Sequence, residues 1–124
     1  MTKTPHILIV EDDTWLAEQF VRTLTNLKLR VETAPHALMA MDMIDTDPPA
    51  VLVLDVLLAG PNAFALLHEL QSHSDLATIP VIICTNSADQ LASEDIEAYG
   101  VRQVLDKTKM TPEDLVAAVK KALL

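Results

Sequence analysis

The sequence predicts a single α/β domain, a (βα)5 chain built on a parallel five-stranded sheet, and three observations carry that prediction. Short apolar runs rich in β-branched residues alternate with longer segments of helical period, the pattern of βα units rather than of hairpins. The run Val51 to Leu54 is apolar without alternation, as a central strand covered on both faces requires. Four runs also end abruptly in polar residues. ILIV (Ile7 to Val10) ends in Glu11-Asp12-Asp13, VLVL in Asp55, VIIC (Val81 to Cys84) in Thr85, and QVLD (Gln103 to Asp106) in Lys107. In a parallel sheet these ends meet at one edge, where open α/β sheets bind ligands.

The elements follow in order. Asp13 or Thr14 caps the first helix, whose Leu16, Phe20, Leu24 and Leu27 repeat at three and four residues and form one buried stripe. Arg30 to Thr33 is a short second strand. Ala37 to Ile44, rich in Leu and Met, is the second helix, and Asp47-Pro48-Pro49 ends it. After Asp55 a loop through Ala59-Gly60-Pro61 leads to a third helix with Phe64, Leu67 and Leu70 toward the core. Pro80 opens the fourth strand, Ser87 caps a fourth helix, and Gly100 stops it. The fifth helix has the clearest start: Thr111 caps, Pro112 takes the first helical position, and Glu113 and Asp114 meet the positive end of the dipole. Leu115, Val119 and Leu123 form its stripe.

Composition bounds the function. A 124-residue chain with 50% hydrophobic residues can bury one core, and no repeat, linker or stretch for an output domain remains. The net charge of −9 argues against direct contact with nucleic acid, which needs clustered Lys and Arg. No apolar run suits a signal peptide or a membrane span, so a cytoplasmic location is expected. The single cysteine, Cys84, lies in an apolar run and reads as a small buried hydrophobe.

The segments ILIVEDD, VLVLDVLLAG, VIICTNS and VLDK, in this order and spacing, resemble the receiver domain of two-component response regulators over essentially the whole chain. The resemblance implies a flavodoxin-like, doubly wound parallel sheet in the order 2-1-3-4-5, of which receivers are a known example. It implies Asp55 as phosphoacceptor, Glu11 and Asp12 as the acidic pair, and Mg²⁺ as cofactor. Asp12 would bind the metal directly, Glu11 mainly through water, with Asp55 and the Leu57 backbone carbonyl completing the ligands. Thr85 would close on the phosphoryl group and Lys107 would pair with it. The implied partners are a histidine kinase or phosphotransfer protein upstream, and a protein target downstream on the face of the fourth helix, fifth strand and fifth helix.

The chemistry of these residue types agrees independently. Two carboxylates about 4 Å apart repel by roughly 4 kcal/mol at an effective dielectric of 20. Three need a cation among them, and Mg²⁺ suits an oxygen-only site holding one or two carboxylates plus phosphate.

Several positions depart from the family pattern. Ala59 stands where Pro is frequent, and Asn62-Ala63 replaces Asp-Gly. Asn86 is larger than the usual small residue, and Leu57 and Ser87 occupy positions that tune phosphate lifetime. Together Leu57 and Asn86 predict a slowly hydrolysed phosphoaspartate. Val104 replaces the switch aromatic, and Thr108 the Pro that commonly follows the Lys in a cis peptide. Tyr99, the only tyrosine, reads as packing at a helix end. These departures leave a rival reading, a binding module independent of phosphorylation. A phosphatase with an aspartyl intermediate is disfavoured because Leu57 stands where haloacid dehalogenase-like enzymes place a general acid.

Overall fold

A computed structural model of the chain describes residues 5–55, 63–86 and 98–124. Within them five strands, β1 (His6–Val10), β2 (Arg30–Ala34), β3 (Val51–Leu54), β4 (Val81–Thr85) and β5 (Val101–Asp106), form one parallel sheet. Its order is β2-β1-β3-β4-β5, the doubly wound arrangement expected.

The period of two along each strand sorts the core into two layers. Leu8, Val10, Leu52, Leu54 and Ile83 face one side, against Ala40 and Ile44 of helix α2 (Ala37–Thr46) and Leu67 and Leu70 of α3 (Ala63–Gln71). Ile7, Ile9, Val53, Ile82 and Cys84 face the other, against Phe20 and Leu24 of α1 (Thr14–Thr25) and Leu115 and Val119 of the C-terminal helix (Pro112–Ala122). Runs without alternation are therefore needed in β1, β3 and β4, which are buried at every position. Burial pushes the Cys84 thiol up to about 12, so it stays a neutral hydrophobe at neutral pH.

The helix ends follow their capping chemistry. The Asp13 side chain accepts the Leu16 N–H at 3.0 Å and starts α1. Thr111 and Asp114 form a reciprocal capping box, with Pro112 opening the helix. Thr111→Ala should lower stability by about 1 kcal/mol, measurable in urea denaturation. Gly100 has φ +73°, the left-handed conformation that favours glycine, and a Cβ there would also press on the Gln71 side chain at 3.2 Å. Tyr99 beside it packs on the core with its ring centroid 6.2 Å from that of Phe64.

The structure corrects the start of β5 and the stripe of the C-terminal helix, and adds a cap for α2 and the trans state of the described peptide bonds. β5 begins at Val101, two residues before the expected start at Gln103, because its first residues pair with β4 across a register shift. The α2 cap is His36, whose Nδ1 accepts the Met39 N–H at 3.1 Å. Leu123 falls beyond the C-terminal helix and is exposed; Ala118 fills the buried stripe with Leu115 and Val119. No cis peptide occurs among the described residues. The expected fourth helix, its Ser87 cap, Leu57 and the loop through Ala59 to Asn62 lie outside the described residues. No helix among the described residues is long and apolar enough to cross a membrane.

Candidate metal and phosphoryl site

The parallel ladder runs one residue past the strands, and that extra step places the polar ends. Glu11 N–H donates to Ala34 O at 3.0 Å, Asp55 N–H to Val10 O at 3.2 Å, and Lys107 N–H to Thr85 O at 2.9 Å. Val10 is in register with Leu54, so Glu11 and Asp55 leave adjacent strands side by side. Apolar residues hold the strands to the core up to this edge, and the side chains beyond it enter one cluster.

Lys107, from the far end of the sheet, closes that cluster. Its Nζ donates to Glu11 Oε1 at 2.5 Å and to Asp55 Oδ2 at 2.7 Å. The side chains are nearly dry: Glu11 is 2% exposed, Asp55 8% and Lys107 10%. Glu11 Oε2 also accepts the Asp13 N–H at 3.2 Å. Burial raises the Glu11 pKa and outweighs the lowering by the Lys107 and Asp13 bonds, with the nearby Asp55 charge adding a small further rise. Burial opposes the charge of Lys107 as well, but two carboxylate bonds outweigh it and hold its pKa above the ordinary lysine value.

Asp12 stays exposed, yet one carboxylate oxygen each from Glu11, Asp12 and Asp55 lie within 4.8 Å of one another. Three ionised carboxylates against one ammonium leave an excess of two negative charges. The donors are all oxygen, the preference of Mg²⁺, and one carboxylate remains open to solvent for entry. The residues present fit a hard divalent cation.

The cluster floors a groove of about 620 Å³ between α1 and the start of the C-terminal helix. Asn86 lines the groove and is exposed, while Thr85 is fully buried at the end of β4. Val104 is half-buried and packs against the core layer of α2 and α3. Glu11, Asp12, Asp55, Asn86 and Lys107 therefore meet in one place, with Thr85 joined through its carbonyl. Leu57 and Ser87 lie outside the described residues.

Two features of the site are not apparent in the sequence pattern. Trp15, 67% exposed, forms part of the groove wall, and its position one residue before the buried stripe of α1 was the available signal. The Asp106 carboxylate bonds Thr108 directly after Lys107, a contact that no periodicity marks.

Residues 7–120 match the family model of the response regulator receiver domain. The chain belongs to that family. Among solved structures, a candidate response regulator from Chloroflexus aurantiacus J-10-fl is 30% identical, with a TM-score of 0.87 and 98% of each chain covered. The receiver domain of a signal transduction histidine kinase from Syntrophus aciditrophicus is 27% identical, with a TM-score of 0.81 over 96% of this chain and 89% of that one. Chemotaxis protein CheY4 of Vibrio cholerae, at 21% identity and a TM-score of 0.84 over 98% of this chain and 100% of that one, shares the fold. None of the curated proteins compared with the chain matches it. This receiver is thus a module of two-component signalling, a switch family rather than a family of metabolic enzymes.

Proposed function

We propose that this receiver takes a phosphoryl group onto Asp55 from a histidine kinase or phosphotransfer protein and changes its partner binding in response. The observation that carries the reading is the Lys107 ammonium held between Glu11 and Asp55, beside an exposed Asp12, on the floor of an open groove.

An Asp55 oxygen attacks phosphorus, the bond from phosphorus to the donor imidazole nitrogen breaks, and the imidazole leaves with that electron pair. Glu11 and Asp12, with Asp55 and the Leu57 carbonyl, would hold Mg²⁺, which when bound neutralises charge on the phosphoryl oxygens. Lys107 supplies the second positive charge. It must give up part of its bond to Asp55 Oδ2 and pair with the incoming oxygens instead. The Thr85 hydroxyl closes on the same group, and the pull on β4 passes to β5 through the Lys107 N–H to Thr85 O bond. Val104 has no ring to swing, so the response runs through backbone and helix shifts toward a protein target on the face that includes β5.

Incubation with Mg²⁺ and acetyl phosphate should add one phosphoryl mass, and Asp55→Asn should abolish it. No adduct, from acetyl phosphate or a cognate kinase, would favour the phosphorylation-independent binding module. Rapid turnover of phosphate esters would indicate a phosphatase.

Exposed Asn86 lines the same groove as Asp55 and narrows the approach of water, and the side chain of Leu57 carries no polar atom to orient one. The phosphoaspartate should accordingly decay slowly, and Leu57→Asn or Asn86→Ala should each speed decay several-fold. Decay rates equal to that of the unmodified chain in both variants would refute the access argument.

A further inference from the structure

We propose that Asp106 and Thr108 form a positioning pair that sets the Lys107 ammonium between its two carboxylates. The inference rests on the phosphoacceptor reading for its consequence in phosphotransfer, while the geometry stands by itself.

Lys107 sits on a turn rather than in the strand, and its ammonium is carried on a flexible four-carbon stem whose ordering costs rotamer entropy. Placing its Nζ on two acceptors at once requires a fixed backbone on both sides of the residue. On the strand side the Lys107 N–H is held by Thr85 O at 2.9 Å. On the far side no proline ring restricts the chain, and Thr108 is exposed, so packing does not hold it.

The Asp106 side chain supplies the missing constraint. Its Oδ1 accepts both the Thr108 N–H at 2.9 Å and the Thr108 Oγ1 hydroxyl at 2.6 Å, reaching over Lys107 to the next residue. Its backbone carbonyl accepts the N–H groups of Lys109 at 3.0 Å and Met110 at 2.8 Å, which closes the turn. The Thr108 hydroxyl and N–H hold the Asp106 carboxyl below its ordinary pKa, with a smaller contribution from Lys109, so the acceptor remains ionised. A Thr with a hydroxyl for the second bond, two residues after an Asp, is the side-chain chemistry this clamp needs.

The test reads the lysine directly. In the resting protein, the Lys107 side-chain NH₃⁺ should give a resolved, slowly exchanging NMR signal, because two carboxylates hold it. Thr108→Val and Asp106→Ala should lose that signal and slow Asp55 phosphorylation by acetyl phosphate about tenfold, as expected for a displaced catalytic group. Thr108→Ser and Asp106→Asn keep a hydroxyl and an acceptor oxygen, and should stay within about twofold of the unmodified chain. Thr108 is exposed, so its variants should keep the fold, and circular dichroism checks it. Retention of the ammonium signal and of the full rate in Thr108→Val and Asp106→Ala would overturn the inference. If the unmodified chain takes up no phosphoryl group, the phosphoacceptor reading falls, and the ammonium signal alone decides the positioning pair.

Discussion

Replacing Lys107 with Ala should destabilise the fold by about 3 kcal/mol at neutral pH in the absence of divalent cations. Its Nζ bonds two carboxylates, and the change leaves both buried side chains without that cation. The loss has a pH signature whose sign is fixed by Glu11. Burial already raises the Glu11 pKa, and Lys107 is the main influence lowering it, so the variant raises it further. A carboxyl with a raised folded pKa contributes stability below its unfolded pKa and loses it as pH rises through the folded value. The deficit against the unmodified chain should therefore narrow on acidification. Mg²⁺ should narrow it too, because without the Lys107 ammonium the carboxylate cluster attracts the cation more strongly, and the tighter-binding chain gains more stability at a given Mg²⁺ concentration. Urea denaturation at several pH values, with and without Mg²⁺, checks all three. In phosphotransfer the same variant should slow adduct formation by about a hundredfold or more, the scale seen when one charge-stabilising donor is removed. Full stability at neutral pH without metal would contradict the bonding of Lys107 to Glu11 and Asp55.

Asp12→Ala should separate metal binding from folding. Asp12 is exposed, so its loss should change stability by no more than about 0.5 kcal/mol. It also carries half of the excess negative charge of the cluster and is its solvent-facing donor. The apparent Mg²⁺ affinity should fall at least about tenfold, with the Mg²⁺ requirement of adduct formation moving in parallel. Trp15 is the only tryptophan and lines the same groove, so its fluorescence offers a direct titration. Unchanged Mg²⁺ affinity would remove Asp12 from the ligand set.

Much of the fold was legible because burial on two faces leaves a strong trace. Ile7 to Val10, Val51 to Leu54 and Val81 to Cys84 are apolar at every position because the two core layers cover them from both sides. The site was legible for the converse reason, since Glu11, Asp55 and Thr85 end those runs with a sudden change of polarity, as Lys107 ends β5. Edge strands carry less information. β5 has exposed Arg102 and Gln103 and so begins before its apolar pair does. Features of geometry rather than polarity stayed hidden. A histidine cap at His36 depends on which ring nitrogen meets the Met39 N–H. Leu123 resembles a stripe residue until the helix ends at Ala122. The bond from Lys107 to both Glu11 and Asp55 joins strands far apart in the chain, and only the register and the turn at Asp106 bring them within reach.

The central claim is that one carboxylate among three neighbours, Asp55, receives the phosphoryl group. Borohydride reduction of the phosphorylated protein converts an aspartyl phosphate to homoserine, and peptide mapping then locates it. Homoserine at position 55 alone, formed only when Mg²⁺ is present during phosphorylation, is the predicted result. Homoserine at position 12 or 13, or none after exposure to acetyl phosphate and a cognate kinase, would contradict it.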